Sequence, residues 1–202
     1  MILENNTAPL KGLVLCGGLS TRMQEDKSKI VYHGMPQWQY LSQLLAGFTD
    51  EVYLSCRHEQ LTAFNNYPNT ITDAVPYGGP SAGLLSAHQQ FPAAAWLVLA
   101  CDLPLISSQS LEVLIRSRNP HKAATAFISP VNNLPEPLIA IWEPAGLAAL
   151  EQNVIAGKNC PRKTLLNSDI ELLSNPYATE QFNANTPEEK AEALRQQTSG
   201  GQ

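Results

Sequence analysis

The sequence predicts an α/β fold of three layers, α/β/α, around a mostly parallel sheet, and three features predict it. Apolar runs of about five to seven residues alternate with amphipathic stretches of about ten or more, the pattern of successive βα units. A glycine-rich turn follows the first apolar run directly. The chain of 202 residues, 44% hydrophobic and 15% charged, is long and apolar enough to bury a core within a single domain or a closely packed pair.

Four apolar runs come early. Strands are expected over 11–16, 51–55, 70–74 and 95–101, each rich in Val, Leu, Ile or aromatic residues and each leading into a loop-prone segment. Between the first two, Pro36 suits a first helical turn, and Trp38, Leu41, Leu45 and Phe48 recur at spacings that mark one buried helix face. Segments 81–90 and 107–116 read as the next helices. Beyond residue 118 the rhythm changes. Strands over 123–128 and 137–142 flank a turn-prone segment from Pro130 to Pro135, which points to antiparallel additions to the sheet. A helix is expected over 144–156, with Leu147, Leu150 and Val154 on one side. Another is expected within 183–197, where Thr186 is the cap, Pro187 the first helical residue and Glu189 the reciprocal capping carboxylate. One domain over 1–197 followed by a flexible tail over 198–202 is the expected organisation.

Composition excludes several classes of function. Thirteen Lys+Arg against eighteen Asp+Glu leave a net charge of −5, without the basic footprint of general nucleic-acid binding. No apolar run approaches the roughly 18 residues of a membrane span. Glu4, Asn5 and Asn6 stand where a secretory signal would carry a basic flank and an apolar stretch, so a cytoplasmic location is expected. Cys16, Cys56, Cys101 and Cys160 lack metal-site or redox spacing and read as buried free thiols. His33, His58, His88 and His121 show no ligand spacing and read as surface or turn residues.

The chemistry concentrates after the first strand, in Leu15-Cys16-Gly17-Gly18-Leu19-Ser20-Thr21-Arg22-Met23-Gln24-Glu25-Asp26-Lys27. Adjacent glycines at a strand end let the backbone turn and bring bare N–H groups against anionic oxygens. Arg22 can grip two oxygens of one phosphate, and Lys27 supplies a compact movable charge. Neither the P-loop spacing nor the dinucleotide-binding pattern fits this run.

The run instead resembles the signature loop of MobA-like nucleotidyltransferases, the molybdenum cofactor guanylyltransferases and their relatives. Gly79-Pro80-Ser81-Ala82-Gly83-Leu84 is similar to that family's Gly-Pro-Leu-Ala-Gly turn, and Ala100-Cys101-Asp102-Leu103-Pro104 to its Cys-Asp-Met/Leu-Pro strand end. Pro135-Glu136-Pro137-Leu138 and Asn183-Ala184-Asn185-Thr186-Pro187-Glu188-Glu189 resemble two later elements, so the likeness runs from Leu13 to Glu189. Three positions depart from the pattern. Gln24 replaces a glycine, at a cost of about 1–2 kcal/mol if that backbone needs a positive φ. Ser81 replaces a leucine near where relatives hold the base, and Cys16 replaces a common alanine.

The resemblance implies a Rossmann-like nucleotidyltransferase fold and transfer of GMP from GTP to molybdopterin, with pyrophosphate leaving. It implies a nucleotide-binding half over about 10–118 and an acceptor-binding half over about 119–197. Leu15, Cys16, Gly17, Gly18, Lys27, Asp73 and Asp102 would bind nucleotide, and Arg22, Lys27 and Asp102 would carry catalysis. Asp102 would hold Mg²⁺ or Mn²⁺, and Asn185 would meet the acceptor. Proteins that deliver the product to molybdoenzymes are the macromolecular partners it points to.

The residues alone reach a similar place. A phosphate loop after the first strand and Asp102 at the end of the fourth should share the carboxyl edge of the sheet, where open α/β sheets bind ligands. One carboxylate with phosphate oxygens and water suits Mg²⁺. Plainer readings stand beside these. Asp102 also suits a helix cap, Asp73 ordinary turn chemistry before Pro76-Tyr77-Gly78-Gly79, and Arg162 with Lys163 a surface pair as much as an acceptor contact. Cytidylyl transfer, another phosphate acceptor, or a non-catalytic nucleotide-binding or cofactor-delivery module are the alternatives.

Overall fold

The computed structural model describes residues 7–18, 20–64, 67–73 and 78–199. The expectations at Glu4, Asn5, Asn6, Leu19, Ala74, Pro76, Tyr77 and 200–202 lie outside the described residues. The strands are β1 (Leu10–Leu15), β2 (Val52–Cys56), β3 (Thr70–Thr72), β4 (Ala95–Ala100), β5 (Ala124–Ile128), β6 (Pro135–Trp142) and β7 (Glu171–Leu173). The α-helices are α1 (Gln37–Ala46), α2 (Pro80–Gln90), α3 (Ser108–Arg116), α4 (Pro144–Ile155), α5 (Pro161–Leu166) and α6 (Pro187–Ser199).

Among the described residues the strands form one sheet in the order β3-β2-β1-β4-β6-β5-β7. The first four pair in parallel, with Leu15 beside both Ser55 and Ala100 and Cys56 beside Thr72. β6 runs antiparallel to β4 and β5, as the change of rhythm after residue 118 predicts, and β7 joins β5 in parallel. The central strands are apolar on both sides because both faces are covered. Val14, Leu97, Leu99 and Ile141 pack with Leu41 and Leu45 of α1 and Leu111 and Leu114 of α3. Leu13, Trp96, Val98 and Trp142 pack with Leu84 and Leu85 of α2, Leu147 and Leu150 of α4 and Leu165 of α5. These two cores make the three expected layers.

Several local expectations shift. Pro36 caps α1 from outside rather than opening it, with ψ 142°. β6 begins at Pro135, two residues early, because it continues past a register irregularity to pair Pro135 with Ile128. His88 is buried rather than exposed, since every residue of α2 from Ser81 to His88 is covered. α6 continues through Thr198 and Ser199, which were expected in the tail.

A third, smaller core matters for the site. Met23 and Ile30, flanking the end of the glycine-rich loop, pack with Tyr32, Ala184 and Ala193, the last on α6. Lys190 pairs with Glu25 at 2.5 Å on the same side. The C-terminal helix is thereby docked on the loop that follows β1. Within that loop Gln24 has φ +63°, the left-handed conformation that the usual glycine adopts freely. Gln24→Gly is expected to stabilise the protein by about 1 kcal/mol. Scanning calorimetry should show this as a melting temperature about 2–4 °C higher.

Candidate active site

The parallel half of the sheet brings four strand ends to one edge. β1 delivers Cys16, Gly17 and Gly18, β2 delivers Ser55, β3 leads into Asp73, and β4 into Cys101 and Asp102. Together with Leu15, Ser20, Lys27, Gly79, Pro80, Gly83 and Leu138 they line a cavity of about 170 Å³. Seven residues expected to bind nucleotide, namely Leu15, Cys16, Gly17, Gly18, Lys27, Asp73 and Asp102, share this one cavity. The loop and the aspartate face each other across the crevice.

Two glycines are needed for close approach. A Cβ on Gly17 would lie 2.5 Å from Asp73 Oδ2, and one on Gly83 would lie 2.3 Å from Ser55 Oγ. Asp73 thus packs its carboxylate against the loop, and α2 packs its first turn against β1 and β2. A Cβ on Gly18 would meet nothing within 4 Å, so its backbone borders open space. Ser55 Oγ donates to Asp73 Oδ1 at 2.7 Å. Burial raises the Asp73 carboxyl above its usual range, opposed by the Ser55 hydrogen bond and by Arg57.

Lys27 and Asp102 form the charged centre. Lys27 Nζ lies 3.6 Å from Asp102 Oδ2 and donates to Asn185 Oδ1 at 2.6 Å. Asp102 Oδ1 is buried with no hydrogen-bond partner among the described residues. Burial raises the Asp102 carboxyl above its usual range, and the Lys27 charge works against that rise. A group whose folded pKa exceeds its unfolded one contributes stability at low pH that is lost as pH climbs through the folded value. Ionised Asp102 therefore weakens the ligand-free fold near neutrality. Asp102→Asn is expected to melt above the parent protein at pH 7, with the gap closing toward about pH 4, where the unfolded carboxyl protonates. Calorimetry across that range checks it; a parent protein that melts higher throughout would contradict the sign.

Two residues to which sequence reasoning gave no role in the site support it. Gln60, buried in the turn after β2, donates through Nε2 to the Cys16 carbonyl at 3.1 Å and to Asp26 Oδ2 at 3.2 Å, tying together the two ends of the loop. Asp26 Oδ1 accepts from the Ser28 N–H at 3.0 Å and so caps the short 3-10 turn that carries Lys27. The second is Glu189, expected only as a helix cap, whose Oε2 accepts from the backbone N–H of Asn185 at 2.6 Å and of Thr186 at 3.1 Å. No sequence signal marks Gln60, since its partners lie far along the chain.

Other expected residues sit differently. Arg22 is exposed outside the cavity lining, without an ion pair to another described residue. Gln24 borders a separate outer cleft, so its strained backbone does not obstruct the cavity. Ser81 is fully buried in α2 and does not line the cavity, and its hydroxyl has no partner among the described residues. Cys16 and Cys101 are buried with sulfurs 3.5 Å apart, and burial pushes the Cys16 thiol well up. Cys56 is buried as well, whereas Cys160 is half-buried.

A larger cleft of about 660 Å³ adjoins through Leu138, which lines both. It is walled by β6, the 129–132 turn and the segment entering α6, including Asn183 and Asn185. Arg162 lines it and donates to Glu136 Oε2 at 3.1 Å and the Pro135 carbonyl at 3.1 Å, while Lys163 stands exposed outside it.

A glycine-hinged loop facing a strand-end carboxylate, at the carboxyl edge of a mostly parallel sheet, defines a phosphate-handling α/β enzyme. Residues 12–171 match the MobA-like NTP transferase domain, and the chain belongs to that family of nucleotidyltransferases. It is 37% identical to the molybdenum cofactor biosynthesis bifunctional protein of Synechocystis sp. over 90% of this chain and 52% of that protein, so it spans about half the length of that relative. It is 30% identical to the molybdenum cofactor guanylyltransferase of Ectopseudomonas mendocina, over 96% of each chain. The fold is similar to molybdopterin-guanine dinucleotide biosynthesis protein A of Archaeoglobus fulgidus, with a TM-score of 0.79 and 22% identity over 94% of this chain and 99% of that one. No described helix is long and apolar enough to cross a membrane.

Proposed function

We propose that this chain transfers GMP from GTP to the terminal phosphate of molybdopterin, with release of pyrophosphate. The observation that carries the proposal is Lys27 set against Asp102 beneath the glycine loop, in a narrow cavity that opens beside a second, larger cleft. The similarity to a protein named molybdenum cofactor guanylyltransferase supports guanylyl transfer and molybdopterin as acceptor. In this reading residues 10–118 form the nucleotide half and 119–197 the acceptor half, and the enzyme works in the cytoplasm.

GTP enters the narrow cavity with its phosphates along the backbone of Gly17, where a Cβ would collide with Asp73, and of Gly18, which borders open space. Asp73 faces the sugar or base. The acceptor occupies the larger cleft, where Asn185 reaches between both ligands. Its terminal phosphate, already anionic, attacks the α-phosphorus in line, so no general base is required. What the protein supplies is alignment and charge neutralisation. Lys27 carries the fixed positive charge, and Arg22 adds its own by swinging inward from the loop's outer face.

A divalent cation fits the residues present. The Asp102 carboxylate keeps one buried oxygen without a partner among the described residues, and a single carboxylate completed by phosphate oxygens and water is the usual environment of Mg²⁺. Asp102 would hold the ion, Mg²⁺ or Mn²⁺, which when bound would offset charge on the phosphates.

The test supplies GTP, CTP, ATP and UTP in turn with molybdopterin and Mg²⁺ and measures pyrophosphate. GTP alone should support turnover. A preference for CTP would reassign the base, and the absence of pyrophosphate with every nucleotide would make the chain a binding or delivery module. Where GTP supports turnover, proteins that deliver the product to molybdoenzymes are the partners to seek.

A further inference from the structure

We infer that Glu189 is a positioning residue for the Lys27 ammonium, acting through Asn185, and the inference rests on the reading of this cavity as the nucleotidyl-transfer site. The Asn185 side chain supplies the shortest polar contact of Lys27, 2.6 Å, against 3.6 Å to Asp102. An amide oxygen can direct an ammonium only if its own backbone is fixed. Two clamps fix it. On one side the Ala184 N–H donates to the backbone carbonyl of Asp102 at 2.8 Å, which ties the segment to the end of β4. On the other side a single carboxylate oxygen of Glu189 accepts both the Asn185 and the Thr186 N–H groups.

These links form a continuous path from α6 to the reacting end of the site. Glu189 holds the two peptides on either side of Asn185, that backbone aims the Asn185 side chain, and Asn185 holds Lys27 beside Asp102. Glu189 also takes part in ordinary helix capping, because its own N–H donates to Thr186 Oγ1 at 3.3 Å. The two roles are separable. Thr186→Ala breaks the bond from the Glu189 N–H and leaves the carboxylate free to grip Asn185, whereas Glu189→Ala removes the carboxylate's bonds to the Asn185 and Thr186 N–H groups and keeps the backbone bond to Thr186. Glu189→Gln keeps an acceptor oxygen. Glu188, exposed in the same turn, carries a similar charge and makes none of these contacts.

Two readouts on the full chain test the inference. In the first, steady-state GMP transfer, Glu189→Ala should lose about tenfold in kcat with little change in KM for GTP, as expected when a catalytic group is misaligned. Glu189→Gln should recover most of the loss, and Thr186→Ala and Glu188→Ala should keep the parent kcat even where the melting temperature falls. In an Asn185→Ala background, Glu189→Ala should cost no further activity, because its effect passes through Asn185. The second readout needs no turnover. Reductive methylation of the ligand-free protein, followed at Lys27 by mass spectrometry, should be several-fold faster in Glu189→Ala than in the parent or in Glu189→Gln.

An unchanged methylation rate in Glu189→Ala would overturn the inference. So would a loss of kcat that persists undiminished in the Asn185→Ala background, or one matched by Thr186→Ala. If the parent chain releases no pyrophosphate with any nucleotide while the methylation rates follow the expected order, the proposed reaction fails and the positioning of Lys27 stands.

Discussion

Lys27→Ala should lower the rate of pyrophosphate release by about two to three orders of magnitude, the scale seen when one preorganised electrostatic donor is removed from an active site. The expectation follows from where the charge sits. Lys27 lines the cavity under the glycine loop and lies 3.6 Å from the carboxylate that closes its far side. In transfer between phosphates, negative charge gathers on the α-phosphoryl oxygens and the departing pyrophosphate, and a fixed ammonium answers it with little reorganisation. Lys27→Met keeps most of the stem and should lose nearly as much, which separates charge from packing. Lys27→Arg should recover only part of the rate, because a planar guanidinium cannot occupy a site that holds a compact ammonium against an amide oxygen 2.6 Å away. Each variant is to be assayed with saturating GTP, Mg²⁺ and molybdopterin, after circular dichroism has shown it folded. A rate within about threefold of the parent for Lys27→Ala would remove Lys27 from the machinery.

Much of the site was legible because its parts are local. A strand ending in two glycines, and another ending in Cys-Asp-Leu-Pro, announce themselves over a few residues, and parallel order then obliges both to share one edge. Leu15 beside Ala100 realises that obligation directly. The same logic failed where the signal is distant or weak. β7 is three residues long at the sheet edge, Glu171-Leu172-Leu173, too short and too mixed to show a period. His88 reads as a surface residue because α2 is rich in small residues and lacks a clear apolar stripe, and the helix is buried because it lies between the sheet and α4. Gln60 holds the loop through a carbonyl 44 residues earlier and a carboxylate 34 residues earlier, contacts that no local pattern encodes. The Thr186 to Glu189 spacing was readable as a cap, but its grip on the residue that meets Lys27 exists only once α6 docks on Met23 and Ile30.

Arg118→Ala should destabilise the protein by about 3–5 kcal/mol, the usual consequence of stranding one member of a buried ion pair. Arg118, just beyond α3, donates through Nε to Glu143 Oε1 at 2.7 Å, and through Nη2 to Oε2 at 3.0 Å and to the Ala8 carbonyl at 2.8 Å. The Glu143 side chain is 2% exposed and that of Arg118 14%, so water cannot replace the lost partner. For a chain of 202 residues the loss corresponds to a melting temperature lower by about 6–20 °C. Replacing both members with apolar residues, as in Arg118→Met with Glu143→Leu, should return most of that stability, because two desolvated charges are then removed together. The pair lies at the edge of the sheet away from the site, since Glu143 follows Trp142, which pairs with Trp96 near the start of β4, and Ala8 precedes β1. Turnover well below the transition should therefore stay within about twofold of the parent, as for distant independent sites. A single variant as stable as the parent would show that the pair's attraction merely balances its desolvation, and a loss of turnover without a loss of stability would mean that this edge is coupled to the loop.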